Sequence, residues 1–175
     1  MLGKGFTAVG LSEILGAAGV PKGSFYHYFE SKEVYGVALL ERFFTHYLAT
    51  IDNIVADNSL NGRSKLATYF SRYASDSSET NCVSRCLVVK LTGEVSDLSA
   101  PMRTTLERGI SSIIERLAAC IIIGRADRSI SSGAPADMLA ASLYQLWLGA
   151  ALVAKTQPHS SAYEAAQLAT NALLA

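Results

Sequence analysis

Apolar residues recur at three- and four-residue intervals along most of this chain, and no run sustains the two-residue alternation of a half-buried strand. From Ser31 to Val55 the apolar positions are Val34, Val37, Ala38, Leu40, Phe44, Leu48, Ile51 and Val55, one face of a long helix. Ser31 suits its N-cap, and Glu33 suits the positive end of its dipole. A second amphipathic stretch, Arg63 to Ala74, carries Leu66, Tyr69, Phe70 and Tyr73, and the polar run Ser75 to Asn81 interrupts it as a loop. After a short apolar stretch, Cys86 to Leu91, the sequence Ser99-Ala100-Pro101 reads as a cap and first turn. It opens a long helix through Met102, Leu106, Ile110, Ile113, Ile114, Leu117 and Ile121. Gly124 to Gly133 reads as a connection, and two further helices are predicted over Ala136 to Thr156 and Ser161 to Leu174. The predicted fold class is all-α.

The N-terminal pattern is more particular. Leu11 to Ala18 forms a short amphipathic helix with Leu11, Ile14 and Leu15 on one face. Gly19 supplies a residue able to take positive φ, Val20 an apolar contact, and Pro21 reopens a helix in which Phe25 and Phe29 are spaced to face the core. Lys22, Gly23, Ser24, Tyr26, His27 and Tyr28 lie elsewhere on that second helix. Helix, glycine turn and second helix is the plan of a helix-turn-helix, whose second helix enters the DNA major groove. Lysine donates to phosphate or guanine, and Ser, Tyr and His bond phosphate oxygens or base edges, while Gly23 lets the backbone approach closely.

Composition narrows the alternatives. The chain has 175 residues, 50% hydrophobic and 17% charged, with 15 basic side chains against 15 acidic ones. Disorder and a strongly basic nucleic-acid coat are excluded, and any DNA-binding face must be local. From Met1 to Lys32 only Lys4, Lys22 and Lys32 oppose Glu13 and Glu30, so affinity must rest on few contacts, doubled by a dimer. Three cysteines make no disulfide framework and fit a reducing compartment. The N-terminus shows no charged leader followed by an apolar stretch, and the apolar runs Ala118 to Ile123 and Leu146 to Ala154 read as too short for a bilayer or as buried helix. A cytoplasmic protein without membrane partner, cofactor or metal site is predicted; His27, His46 and His159 are scattered.

Gly5-Phe6, Ser12-Glu13-Ile14, Ala18-Gly19-Val20, Gly23 to Phe29 and Ser31-Lys32-Glu33 together resemble the DNA-binding signature of the TetR family of transcriptional repressors. That resemblance implies that Lys22 to Tyr28 is the recognition helix. It adds Ser12 to the DNA-contacting set and implies that Tyr26 or Tyr28, and Lys32, reach phosphates. It further implies a homodimer on double-stranded operator DNA, with the last two long helices forming a four-helix interface. The division expected is a helix-turn-helix domain over 1–33 and a helical sensor and dimerisation domain over 34–175. Against the family pattern, the first helix is incomplete ahead of Gly5-Phe6, and Gly10 stands where a capping Ser or Thr is usual. An alternative reading is therefore a TetR-like dimeric small-molecule-binding module that has lost DNA binding.

The rest of the chain is similar to the branch of that family that represses N-ethylmaleimide reductase genes. The resemblance is carried by Cys86 to Leu91, Glu94 to Ser99, Leu146 to Ala150 and Ala154-Lys155. It implies that Cys86 is the reactive cysteine of a sensor for small electrophiles and oxidants, and that Lys155 is a lysine near it. Arg85 and the start of a short helix beside Cys86 favour a thiolate. Lys155 shares a helical face with Leu148, Ala151 and Leu152, where it either snorkels to water or is partly desolvated beside a pocket. Cys82 is either a resolving thiol or a loop residue without a role, and Cys120 reads as a small core hydrophobe. Small residues at Gly149, Ala150, Ala151 and Ala154 suit a dimer interface, and Trp147 and Tyr144 line either a ligand pocket or the core. An enzyme using Cys86 as nucleophile is not expected, because no His or carboxylate partner pattern accompanies it.

Overall fold

The computed structural model of the chain describes residues 5–74, 88, 91–157 and 161–175, and every regular element among them is helical. In chain order these are α1 (Leu11–Ala18), α2 (Lys22–Tyr28), α3 (Lys32–Ala56), α4 (Gly62–Ala74), α5 (Ala100–Ala126), α6 (Ala136–Thr156) and α7 (Ala162–Leu173). A short helical stretch over 91–95 precedes α5. The all-α class is as the periodicity predicts; the polar run 75–81 lies outside the described residues.

Local caps set several of these boundaries. The Ser31 hydroxyl accepts the Val34 N–H at 3.1 Å and opens α3, and the Ser99 hydroxyl accepts the Met102 N–H at 3.3 Å and opens α5. One boundary differs from expectation: α5 continues past Gly124 to Ala126. Gly124 is there for close packing: a Cβ on it would stand 2.5 Å from Ile130 Cδ1, and the backbone of Gly62 approaches so closely that a Cβ there would stand 2.3 Å from the Gly124 Cα. The helix ends instead at a turn in which the Asp127 carboxylate accepts the N–H groups of Ser129 at 2.9 Å and Gly62 at 2.7 Å.

The described residues pack as two compact units, one of Met1–His46 with Cys86–Gly109, the other of Tyr47–Arg85 with Ile110–Ala175. In the first, Phe6, Leu15, Phe25, Leu40, Leu91 and Met102 are buried. In the second, the core is built on Ile51, Leu66, Phe70, Leu117, Tyr144 and Trp147. Trp147 of α6 stacks on Phe70 of α4 with centroids 5.0 Å apart, and its indole N–H donates to the Thr170 hydroxyl of α7 at 2.9 Å. Lys65 is buried and donates to the carbonyls of Ile54, Val55 and Asp57, capping the C-terminal end of α3.

By length and composition α6, with 21 residues, is long and apolar enough to cross a bilayer, and the run Leu146 to Ala154 is part of it. Its apolar character has another use here: Leu139, Ala140, Leu143, Tyr144, Trp147 and Ala150 are buried, and α6 packs on α7 and α4.

Candidate nucleic-acid interface

The turn between α1 and α2 is built by backbone hydrogen bonds. Gly19 takes φ +64°, its N–H donates to the Gly16 carbonyl at 3.3 Å, and the Val20 N–H donates to the Leu15 carbonyl at 3.1 Å. This paired closure ends α1 in a left-handed residue that glycine adopts without a Cβ clash. Pro21 is extended and begins α2, whose first N–H bonds run from Ser24 and Phe25 to the Pro21 carbonyl. At the start of α1, the Gly10 carbonyl accepts from Glu13 and Ile14, with no side-chain cap.

One side of α2 is fixed by aromatic packing. Phe25 is buried, 5.4 Å from Phe29 and 5.7 Å from Tyr35 between ring centroids, and Phe29 lies 5.2 Å from Tyr35. With Phe25 turned inward, the helical period turns the remaining positions outward. Lys22, Gly23, Ser24, Tyr26, His27 and Tyr28 are all exposed, Tyr28 by 75% of its surface and Tyr26 by 51%. The His27 and Tyr28 rings meet edge to face at 4.9 Å, and Lys22 Nζ stands 6.0 Å from the Tyr26 ring centroid. A Cβ on Gly23 would meet only open space, so the helix backbone is accessible there. Ser12 is exposed in the first turn of α1.

Lys32 is placed differently from the rest of the predicted set. It is half-buried, donates to the Phe6 carbonyl at 2.6 Å and the Thr7 carbonyl at 3.4 Å, and stands 4.6 Å from the centroid of the Phe6 ring. These carbonyls engage two of the three N–H donors of an ammonium. Glu94, which the sequence singled out only as part of a resemblance, bonds the same two residues from the other side. A carboxylate 87 positions away from its partner leaves no local pattern by which a sequence reading finds it.

Of the predicted sensor residues, Cys86 and Cys82 lie outside the described residues. Lys155 is exposed in the last turn of α6, where a cation suits the negative end of the helix dipole. Cys120 is buried, and burial pushes its thiol up to about 11, against a smaller opposing pull from the Lys65 charge. Tyr144 and Trp147 are core residues, and burial, with Tyr47 second, pushes the Tyr144 phenol well up. Ala150 is buried, whereas Ala151 and Ala154 are partly exposed. Trp147 also forms the floor of a shallow cleft of about 440 Å³ lined by Tyr163, Glu164, Gln167, Leu168 and Asn171. Among the described residues no group of three or more His, Cys, Asp or Glu side chains is placed to hold a metal ion.

Comparison with known proteins places these features in context. Residues 1–34 match the family profile described as bacterial regulatory proteins, tetR family, and residues 62–170 match the tetracyclin repressor-like C-terminal domain. The chain is 40% identical over 154 residues to the HTH-type transcriptional repressor NemR of Escherichia coli strain K12, covering 88% of this chain and 77% of that one. It is 35% identical over 156 residues to the HTH-type transcriptional repressor DhaR of Mycobacterium sp. strain GP1, covering 89% and 77%. The crystal structure of the reduced form of E. coli NemR superposes with a TM-score of 0.91 at 39% identity, covering 99% of this chain and 91% of that one.

Proposed function

The chain belongs to the tetR family of bacterial regulatory proteins, as a transcriptional repressor homologous to NemR, and from that premise we propose that it leaves its operator when Cys86 is modified. TetR-family repressors bind operator DNA and act as dimers. On this reading α2 is the recognition helix, with Lys22, Ser24, Tyr26, His27 and Tyr28 facing the major groove and its phosphates. Ser12 and the remaining donor of Lys32 add phosphate contacts, and Gly23 admits the backbone to the duplex. The helix-turn-helix domain spans 1–33, and the sensor and dimerisation domain spans 34–175, in a cytoplasmic protein with no membrane partner.

The observation that carries the DNA-binding half is a recognition helix held by Phe25 with its other side wholly exposed. The sensing half is supported by the likeness to NemR, a relative crystallised in a named reduced form, and by the Cys86 to Leu91 and Glu94 to Ser99 segments. The chemistry is that of a thiolate. Its sulfur adds across an electron-poor C=C bond: an S–C bond forms, the π bond breaks, and the resulting carbanion takes up a proton from water. A two-electron oxidant instead converts the thiolate to a sulfenic acid. Lys155 is the candidate partner that stabilises the thiolate before reaction.

The test begins by selecting duplexes from a random-sequence pool with the unsubstituted protein and measuring affinity for the recovered palindrome by fluorescence anisotropy. Binding that weakens steeply with added salt is expected, since each phosphate contact releases counterions. N-ethylmaleimide should abolish binding, and C86S should bind as well as the parent while ignoring the reagent. Recovery of no duplex would favour the dimeric ligand-binding module instead, and a C86S protein still released by the reagent would remove Cys86 from the mechanism.

A further inference from the structure

The segment that leads into α1 is gripped from two sides by side chains distant in sequence. The N–H groups of Phe6 and Thr7 both donate to the Glu94 carboxylate, at 2.9 Å and 2.6 Å, and the Thr7 hydroxyl donates to it as well. The carbonyls of the same two residues accept from Lys32. An anion thus meets the donors of this segment and a cation meets its acceptors, and charge-assisted bonds of this kind are roughly twice as strong as neutral ones. The Phe6 ring completes the seat: it is buried against Gly36, where a Cβ would stand 2.7 Å from its Cζ. A second tie runs in parallel, because the Ser99 hydroxyl that caps α5 also bonds the Glu33 carboxylate in the first turn of α3.

Glu94 lies outside the matched DNA-binding segment 1–34 and inside the matched C-terminal domain 62–170. Yet its carboxylate holds Thr7, three residues ahead of Gly10, the N-cap of α1. We propose that Glu94 is a positioning residue for operator binding: with Lys32 opposite, it fixes the Phe6–Thr7 segment so that α1 and α2 stand in the orientation that the duplex requires. In this role Glu94 itself touches no DNA. The inference rests on the reading of α2 as the recognition helix.

The expected signature follows from a shift in populations. Without the carboxylate, α1 and α2 sample orientations that do not fit the groove, and the apparent Kd rises by the inverse of the fraction still competent. Molecules that do bind make the same phosphate contacts, so the slope of affinity against salt stays that of the parent. Gln in place of Glu94 keeps one acceptor but removes the charge and sets an NH₂ donor against one of the two N–H groups, so shape is preserved while the grip is weakened.

The experiment compares the parent, E94Q and T7V on the selected duplex, at several salt concentrations and below the melting temperature of each. E94Q should raise Kd about tenfold and T7V about threefold, both with the parental salt slope. Unchanged or tighter binding by E94Q, or an altered salt slope, would each overturn the proposal. Should E94Q fail to fold, T7V decides, with unchanged affinity counting against the clamp. A parent that binds no selected duplex defeats the operator reading and this inference together, whereas a parent and E94Q that bind alike defeat this inference alone.

Discussion

Cys120 shows how one buried side chain ties stability to pH. It is 2% exposed, between Leu117 and Ile121 of the α5 core face, and burial raises its thiol from 9.0 to about 11. Below pH 9 the thiol is protonated in both the folded and unfolded chain, and folding gains nothing from pH. Between pH 9 and about 11 the unfolded chain ionises while the folded one holds its proton, so stability falls as pH rises, by about 1.4 kcal/mol per pH unit. Urea unfolding from pH 8 to pH 11 should show the parent losing on the order of 2 kcal/mol more than C120A, which carries no thiol. Equal losses in the two proteins would remove Cys120 as the source. The same burial keeps the thiolate rare at neutral pH, so N-ethylmaleimide should label Cys120 only after unfolding, as peptide mapping can check.

At the scale of the element, Lys65 on α4 decides where α3 ends. Its ammonium reaches the carbonyls of Ile54, Val55 and Asp57; Ile54 and Asp57 also accept backbone N–H groups, each at a long 3.3 Å, from Asp57 and Leu60. Lys65→Met keeps the aliphatic stem and removes every donor, taking from Val55 the bond its carbonyl made and leaving Ile54 and Asp57 only their long backbone N–H bonds. A loss of about 2–4 kcal/mol is expected in urea unfolding, against under about 1 kcal/mol for a substitution at exposed Asn58 nearby. A K65M protein as stable as its parent would show that water satisfies those carbonyls equally well. Lys65 was not legible from the sequence, because a lysine at a polar position of an amphipathic helix looks like any solvated residue. Ser31 and Ser99 were legible as caps, because capping is a contact over three residues. Lys22, Gly23, Ser24, Tyr26, His27 and Tyr28 were legible as an outward set for the same reason, since Phe25 and Phe29 fix their side of the helix locally. Gly124 misled because glycine serves both to break a helix and to let two backbones meet. Glu94 escaped because its partners lie at the far end of the chain, and no periodicity crosses that distance.

For the whole molecule, the balance of 15 basic against 15 acidic residues removes long-range attraction to DNA and makes pairing of subunits decisive. If a dimer binds its operator at about 1 nM, equal halves contribute about 6 kcal/mol each, and one half-site alone binds in the tens of micromolar range, roughly. A repressor of this family therefore loses its operator when its dimer is broken, even with an intact recognition helix. The outward sides of α6 and α7 carry Leu152, Val153, Leu168 and Leu173 exposed, with small Gly149 beside them, a composition that permits close helix approach. Leu168 is 74% exposed within its own chain, so Leu168→Arg costs the fold little. In a symmetric interface built on these helices the same change would bury two guanidinium groups, each desolvated without a partner. L168R should sediment as a monomer with an unchanged helical circular dichroism spectrum, and it should bind the selected palindrome at least about 100-fold more weakly than the parent. If L168R remains a dimer, the interface lies elsewhere. If it becomes monomeric yet binds with parental affinity, the few contacts made by a single α2 suffice without a partner.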